Sequence, residues 1–134
     1  MKKKISGRKF SRNAKARRAM YNALVRALVL NGKITTTKAK SKEAQIKIDK
    51  LITLTKQGTI AARRRVTSEL SNDEQTTKLL FDKITPMFTG ITSGYTKSTP
   101  LNPRNGDRAQ MVNFQWSKSE EIKKPAKAIK KSIK

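Results

Sequence analysis

Residues 11–37 read SRNAKARRAMYNALVRALVLNGKITTT. Ala16, Ala19, Met20, Ala23, Leu24, Ala27 and Leu28 recur at spacings of three and four, the rhythm of an amphipathic helix. Ser11 or Asn13 can cap its start, and Asn31-Gly32 is a natural stop. On a helical wheel Ala16, Met20, Ala23, Leu24 and Ala27 share the face expected in the core. Lys15, Arg18, Asn22 and Arg26 lie roughly opposite. The β-branched run 33–37 then predicts a short strand. A helix handed straight to a strand points to an α+β domain.

The rest of the chain extends this pattern. A second helix is expected over 38–56, with Ala44, Ile48, Leu51, Ile52 and Thr55 inward and Gly58 after its end. Thr59 caps a third helix over 60–70. Ser71 and Glu74 have the spacing of a capping box, opening a fourth helix to about Ile84 that Pro86 stops. Strands are expected over 95–98 and 109–116, pairing antiparallel across a turn-rich loop. Four helices and three short strands make a single α+β domain with a small mixed or antiparallel sheet. The expected division is a basic, unstructured arm over 1–10, the domain over 11–117, and a Lys-rich tail over 118–134.

Charge sets the function class. The 134 residues hold 32 Lys and Arg against 9 Asp and Glu, a net +23. Residues 1–42 contain fourteen Lys or Arg and no acid, so they alone carry +14. Residues 43–117 carry only +4, and residues 118–134 carry +5. Such self-repulsion implies a polyanionic partner, with nucleic acid the first candidate. The chain has no Cys and no His. That excludes disulfides, thiolate metal sites and imidazole acid–base chemistry. The carboxylates are scattered, and no Gly-rich phosphate loop follows a strand. No enzyme, no cofactor and no small-molecule substrate is expected. No apolar run spans a membrane, and no apolar segment follows the basic start as in a secretory signal. A cytoplasmic protein that does not engage membranes is the resulting expectation.

The candidate contacts begin in the arm with Lys2, Lys3, Lys4, Arg8, Lys9 and Arg12. They continue on the first helix with Lys15, Arg17, Arg18 and Arg26, where no neighbouring acid in sequence can pair with them. Val25 and Val29 fall near this polar side, implying a helix covered on two sides, by protein or by RNA. Lys33, Lys38 and Lys40 follow. Arg63 and Arg64, with Arg65, span most of a helical turn. They either grip phosphates bidentately or pair with Glu69 or Asp73. Few aromatics accompany these cations, so a stacking platform for single strands is weak. Structured RNA, read by shape and backbone, suits them better.

Several segments in this order and spacing carry a family resemblance. They are Ser6-Gly7-Arg8, Arg12-Asn13, Arg17 and Ala19-Met20, then Ile34-Thr35-Thr36-Thr37 with Lys38-Ala39-Lys40, and Leu51-Ile52-Thr53-Leu54. Ala62-Arg63-Arg64, Lys78-Leu79-Leu80-Phe81, Gly94-Tyr95-Thr96-Lys97 and residues 104–111 (RNGDRAQM) complete them. From residue 1 to about 116 the chain resembles the L-seventeen family of the bacterial large ribosomal subunit. The resemblance implies a structural ribosomal protein that binds large-subunit rRNA, near the exit of the nascent-chain tunnel, beside other large-subunit proteins. It implies rRNA contacts at Arg8, Arg12 and Arg17, and the matching segments add Tyr95, Lys97, Arg104 and Arg108. The family carries His where this chain has Lys3 and Ala16. Lys3 keeps a donor and Ala16 does not. The competing expectation is a free nucleoid-type DNA-binding protein, which would want a dimer interface or a helix-turn-helix.

Overall fold

The computed structural model describes residues 7–118. Helix α1 (Ala14–Asn31) begins at Asn13, whose side chain accepts a hydrogen bond from the Ala16 N–H. It ends at Gly32, which adopts φ 74° and donates its N–H to Leu28 O at 2.8 Å. That left-handed conformation favours glycine. Strand β1 (Lys33–Thr37) runs directly into α2 (Lys38–Lys56).

The α2 helix is the hub of the domain. It packs on α1, on α3 (Ile60–Glu69) and on all three strands. Its inward face is Ser41, Ala44, Ile48, Leu51, Ile52 and Thr55. The three-to-four spacing in the sequence supplied all of these but Ser41, whose hydroxyl is satisfied by donating to Lys38 O. Thr59 caps α3 as expected, accepting from the Ala62 N–H at 3.1 Å.

Helix α1 buries a different face from the one its alanines suggested. Val25, Leu28 and Val29 are buried, whereas Ala16 and Ala23 are exposed. The helix packs against α2, α4 (Glu74–Leu79) and β1. The side bearing Val25 and Val29 is therefore the one the protein covers, and the expected cover on two sides is not found.

The capping box at Ser71 does not form. Ser71 and Asn72 adopt φ 60° and 62°, turning the chain sharply after α3. Asp73 is the cap of α4, accepting from both the Thr76 N–H and the Thr76 hydroxyl. The helix also continues past the expected stop. A π-helical turn (Leu80–Ile84) carries it into a last short segment, α5 (Thr85–Met87). Pro86 has no N–H, and its ring would press on the carbonyl four residues back. The wider turn relieves this: the Thr85 N–H reaches Leu80 O, five residues back.

Strands β2 (Thr96–Pro100) and β3 (Met111–Trp116) complete an antiparallel sheet in the order β1-β3-β2. Val112, Phe114 and Trp116 point into the core from β3. Phe88 stands against Tyr95 and Trp116, with ring centroids 5.3 and 5.9 Å away.

The domain also claims the end of the expected arm. Phe10 is half-buried, its ring edge-on to Tyr21 at 6.4 Å. Phe10 and Ser11 both have positive φ, so the chain bends there into the start of α1. Lys2, Lys3 and Lys4, and the tail from residue 119, lie outside the described residues.

Candidate nucleic-acid interface

Among the described residues, several of the cations gather into three surface regions. The first is a cleft where β1 becomes α2, lined by Arg8, Thr37, Lys38, Lys42 and Gln110. The first turn of α2 has no acidic residue and no side-chain cap from Thr37. The Lys38 N–H is satisfied by Gln110 O at 2.9 Å. Folding brings Arg8 here from 30 positions away. Lys42 was not foreseen, although it lies one helical turn beyond Lys38 on α2.

The second region is a groove between α3 and α4, lined by Ile60, Arg63, Arg64, Thr67, Glu74 and Lys78 among others. The arginine triplet divides. Arg65 turns to Glu69, 3.7 Å away, while Arg63 and Arg64 face the groove, Arg63 lying over the Phe81 ring at 5.4 Å. The pairing with Glu69 is thus made by Arg65 alone, and Arg63 and Arg64 remain available to a ligand in the groove. Lys78 joins them from α4, which only the tertiary packing could reveal.

The third is the outer face of the sheet. Lys33 and Lys97 occupy the two edge strands, both opposite Gln115 of the central strand. Both lysines are exposed.

Along α1, Lys15 and Arg18 are exposed and Arg17 is half-exposed. The guanidinium groups of Arg12 and Arg17 donate to Phe10 O and Arg12 O, each at 3.0 Å, so the bend at the arm sets their direction. Arg26 is different. It lies 3.2 Å from Asp73, so α1 does find an acid, across the fold rather than along the helix. Between these, Lys47 donates to Asn22 Oδ1, and Asn22 donates to Ser71 Oγ at 2.7 Å. Burial lowers the Lys47 pKa, Glu69 opposes that shift, and Arg18 adds to it. This network holds α1, α2 and the α3–α4 turn together.

Lys9 and Arg108 are exposed, and Lys40 is half-exposed. Arg104 is exposed too, but its guanidinium is held by Asp107 within the turn. Tyr95 leaves the candidate set. It is 1% exposed, and its hydroxyl donates to Thr92 O and accepts from Lys56 Nζ. A residue whose ring and hydroxyl are both used inside the core has no edge left for a nucleotide. It was a candidate only through the family resemblance of the segment 94–97.

Among the described residues there is no cluster of His, Cys, Asp and Glu that could hold a metal, and no helix long and apolar enough to cross a membrane. Nor do α1 and α2 form a helix-turn-helix, because β1 lies between them in the sheet. Fold and surface define a small α+β domain whose exposed cations, spread over several elements, suit an extended polyanion rather than one small anion.

The family model described as ribosomal protein L17 matches residues 20–116. The chain is 43% identical over 122 residues to the large ribosomal subunit protein bL17 of Desulfovibrio desulfuricans, covering 90% of this chain and 71% of that protein. It is 38% identical over 133 residues to the protein of that name from Nitratidesulfovibrio vulgaris, covering 96% and 99%. Against the Clostridium acetobutylicum protein the identity is 40% over 105 residues, covering 78% and 91%. The chain belongs to the ribosomal protein L17 family, whose members are structural components and not enzymes.

Proposed function

We propose that this chain is a structural constituent of the large ribosomal subunit and binds large-subunit rRNA through its phosphate backbone. The observation that carries this reading is the acid-free block 1–42, whose described cations include Arg8, Lys38 and Lys42 at the α2 cleft and Lys15, Arg17 and Arg18 along α1. Family membership supports it, since the relatives are large-subunit proteins by name. Neutralised phosphates release counterions, so such binding is strong and falls steeply with salt. The contacts we propose are Lys2, Lys3, Lys4, Arg8, Lys9, Arg12, Lys15, Arg17 and Arg18 in and beside the arm. Lys33, Lys38, Lys40, Arg63, Arg64 and Lys97 act from the domain. Arg26, Arg104 and Arg108 are secondary, the first two because carboxylates already hold them.

The family resemblance further supports a place near the tunnel exit, in contact with neighbouring large-subunit proteins, in the cytoplasm. Gradient sedimentation of a cell extract in high salt tests the reading. The protein is expected to travel with the large subunit. Recovery in the top fractions, or with nucleoid DNA, would overturn it.

A further inference from the structure

Between Lys33 and Lys97, the outer face of the sheet carries amides and hydroxyls that the phosphate reading does not use. Its side chains form registered rows across the three strands. Lys33, Gln115 and Lys97 make one row, and Thr35, Asn113 and Thr99 make the next. Thr37 and Met111 pair in the row that adjoins the α2 cleft with Arg8, Lys38 and Lys42. No carboxylate and no aromatic ring occurs in these rows. Asn113 Nδ2 donates to Gln115 Oε1 at 3.4 Å, on the face opposite the buried Val112, Phe114 and Trp116.

With strands about 4.8 Å apart, Lys33 and Lys97 stand roughly 10 Å from one another across the sheet, and the α2 cleft begins about 13 Å further along β1. Cations therefore frame a centre of amides and hydroxyls. We propose that this face lies on the minor groove of double-helical rRNA. The proposal rests on the rRNA-binding reading and names the part of the RNA that the sheet meets.

Three features select this partner. A-form RNA has a wide, shallow minor groove that displays 2′-hydroxyls, and a deep major groove that a flat sheet cannot enter. A 2′-hydroxyl both donates and accepts, as do the Asn113 and Gln115 amides. The framing lysines match the flanking phosphates, whereas a face without aromatics offers nothing for unpaired bases to stack on.

The test uses the full chain with an RNA duplex of roughly 16 base pairs, taken from large-subunit rRNA, and the DNA duplex of the same sequence. Gln115→Glu puts a carboxylate between Lys33 and Lys97. Opposite charges across a sheet favour folding, so its melting temperature should hold or rise. Its RNA affinity should fall about tenfold, with the slope of binding against salt reduced by roughly 1 as the lysines are drawn from phosphates. The double variant Asn113→Ala, Gln115→Ala removes no charge. It should lose much of the preference for RNA over DNA while keeping the salt slope. Gln115→Glu binding as tightly as the parent overturns the proposal, and so does an unchanged RNA preference in the folded double variant. Normal duplex binding with defective subunit incorporation would also overturn it, because that assigns the face to a protein neighbour. A parent chain that binds no rRNA duplex and does not sediment with the subunit would instead remove the functional reading beneath it.

Discussion

The Arg26 guanidinium lies 3.2 Å from the Asp73 carboxylate, joining the middle of α1 to the start of α4. Asp73 also accepts from the Thr76 N–H and hydroxyl. These contacts lower its pKa, the Thr76 hydroxyl bond most of all, with Arg26 contributing less. A depressed carboxylate stabilises the fold above its unfolded pKa, and that stability is lost as pH falls through the folded value. Asp73→Ala should cost about 1 kcal/mol, the usual cost of losing a helix cap. Asp73→Asn keeps a capping oxygen, so its loss at neutral pH should be smaller and its own acid sensitivity absent. Urea unfolding at pH 7 and pH 3 measures both. Equal acid sensitivity in the parent and in Asp73→Asn would show that another group governs it.

Tyr95 gives a test of interior against interface. Lys56 Nζ donates to its hydroxyl at 3.0 Å and also to Ile91 O, and the ammonium sits 4.6 Å from the ring centroid. Tyr95→Phe removes the hydroxyl and leaves the ring packed on Phe88. Stability should fall by about 1–3 kcal/mol, because the hydroxyl's bonds to Thr92 O and from Lys56 are both lost at about 0.5–1.5 kcal/mol each. Affinity for rRNA should not change. Reduced affinity in a normally folded variant would return Tyr95 to the interface.

The turn at 104–109 is tied by one carboxylate. Asp107 accepts from Arg104 Nε and from the Ala109 N–H, each at 3.1 Å. Its pKa is pushed down to about 2, chiefly by the hydrogen bond from Arg104. NMR titration should find a midpoint near that value, and Arg104→Ala should raise it toward the ordinary carboxylate range. Because the pair is solvent-exposed, Asp107→Asn should be mild for folding and for assembly at neutral pH. A large assembly defect would mean that Asp107 meets RNA or an RNA-bound cation directly.

What was legible in the sequence tracks how local each signal is. The limits of α2 and most of its buried face followed from spacing alone, because a long helix at the centre of a domain is periodic along its length. The Thr59 cap was equally local. The inward face of α1 was misjudged because the alanines keep the period while the valines make the contacts, and only α2 and α4 decide which side is covered. Ser71 lost the cap to Asp73 because the α3–α4 turn needs two residues of positive φ. The basic character of the surface was visible from composition. Its organisation was not: Lys42 beside Arg8, and Lys78 beside Arg64, are neighbours only after folding.

Deleting residues 1–8 removes Lys2, Lys3, Lys4 and Arg8 and spares Phe10. If all four meet phosphates, the slope of log affinity against log salt should fall by about 3–4. The melting temperature should hold, since the Phe10–Tyr21 contact that joins this end to α1 remains. An unchanged slope would make these residues a solubilising tail. A large drop in melting temperature would mean that they support the fold.

The arginine triplet provides the sharpest comparison, because adjacent residues of one type have different surroundings. Arg64 lines the α3–α4 groove, whereas Arg65 is paired with Glu69 at 3.7 Å. Arg64→Ala should weaken rRNA binding at low salt and reduce the salt slope by roughly 1, the loss of one phosphate contact. Arg65→Ala removes the same charge from the chain but a side chain already committed to Glu69, so its salt slope should stay close to that of the parent. Exposed pairs of this kind contribute about 0–1 kcal/mol, so neither change should unfold the domain. Filter binding over a salt series separates the two variants. Equal slopes would mean that the RNA responds to net charge alone, and that the groove has no defined phosphate contact.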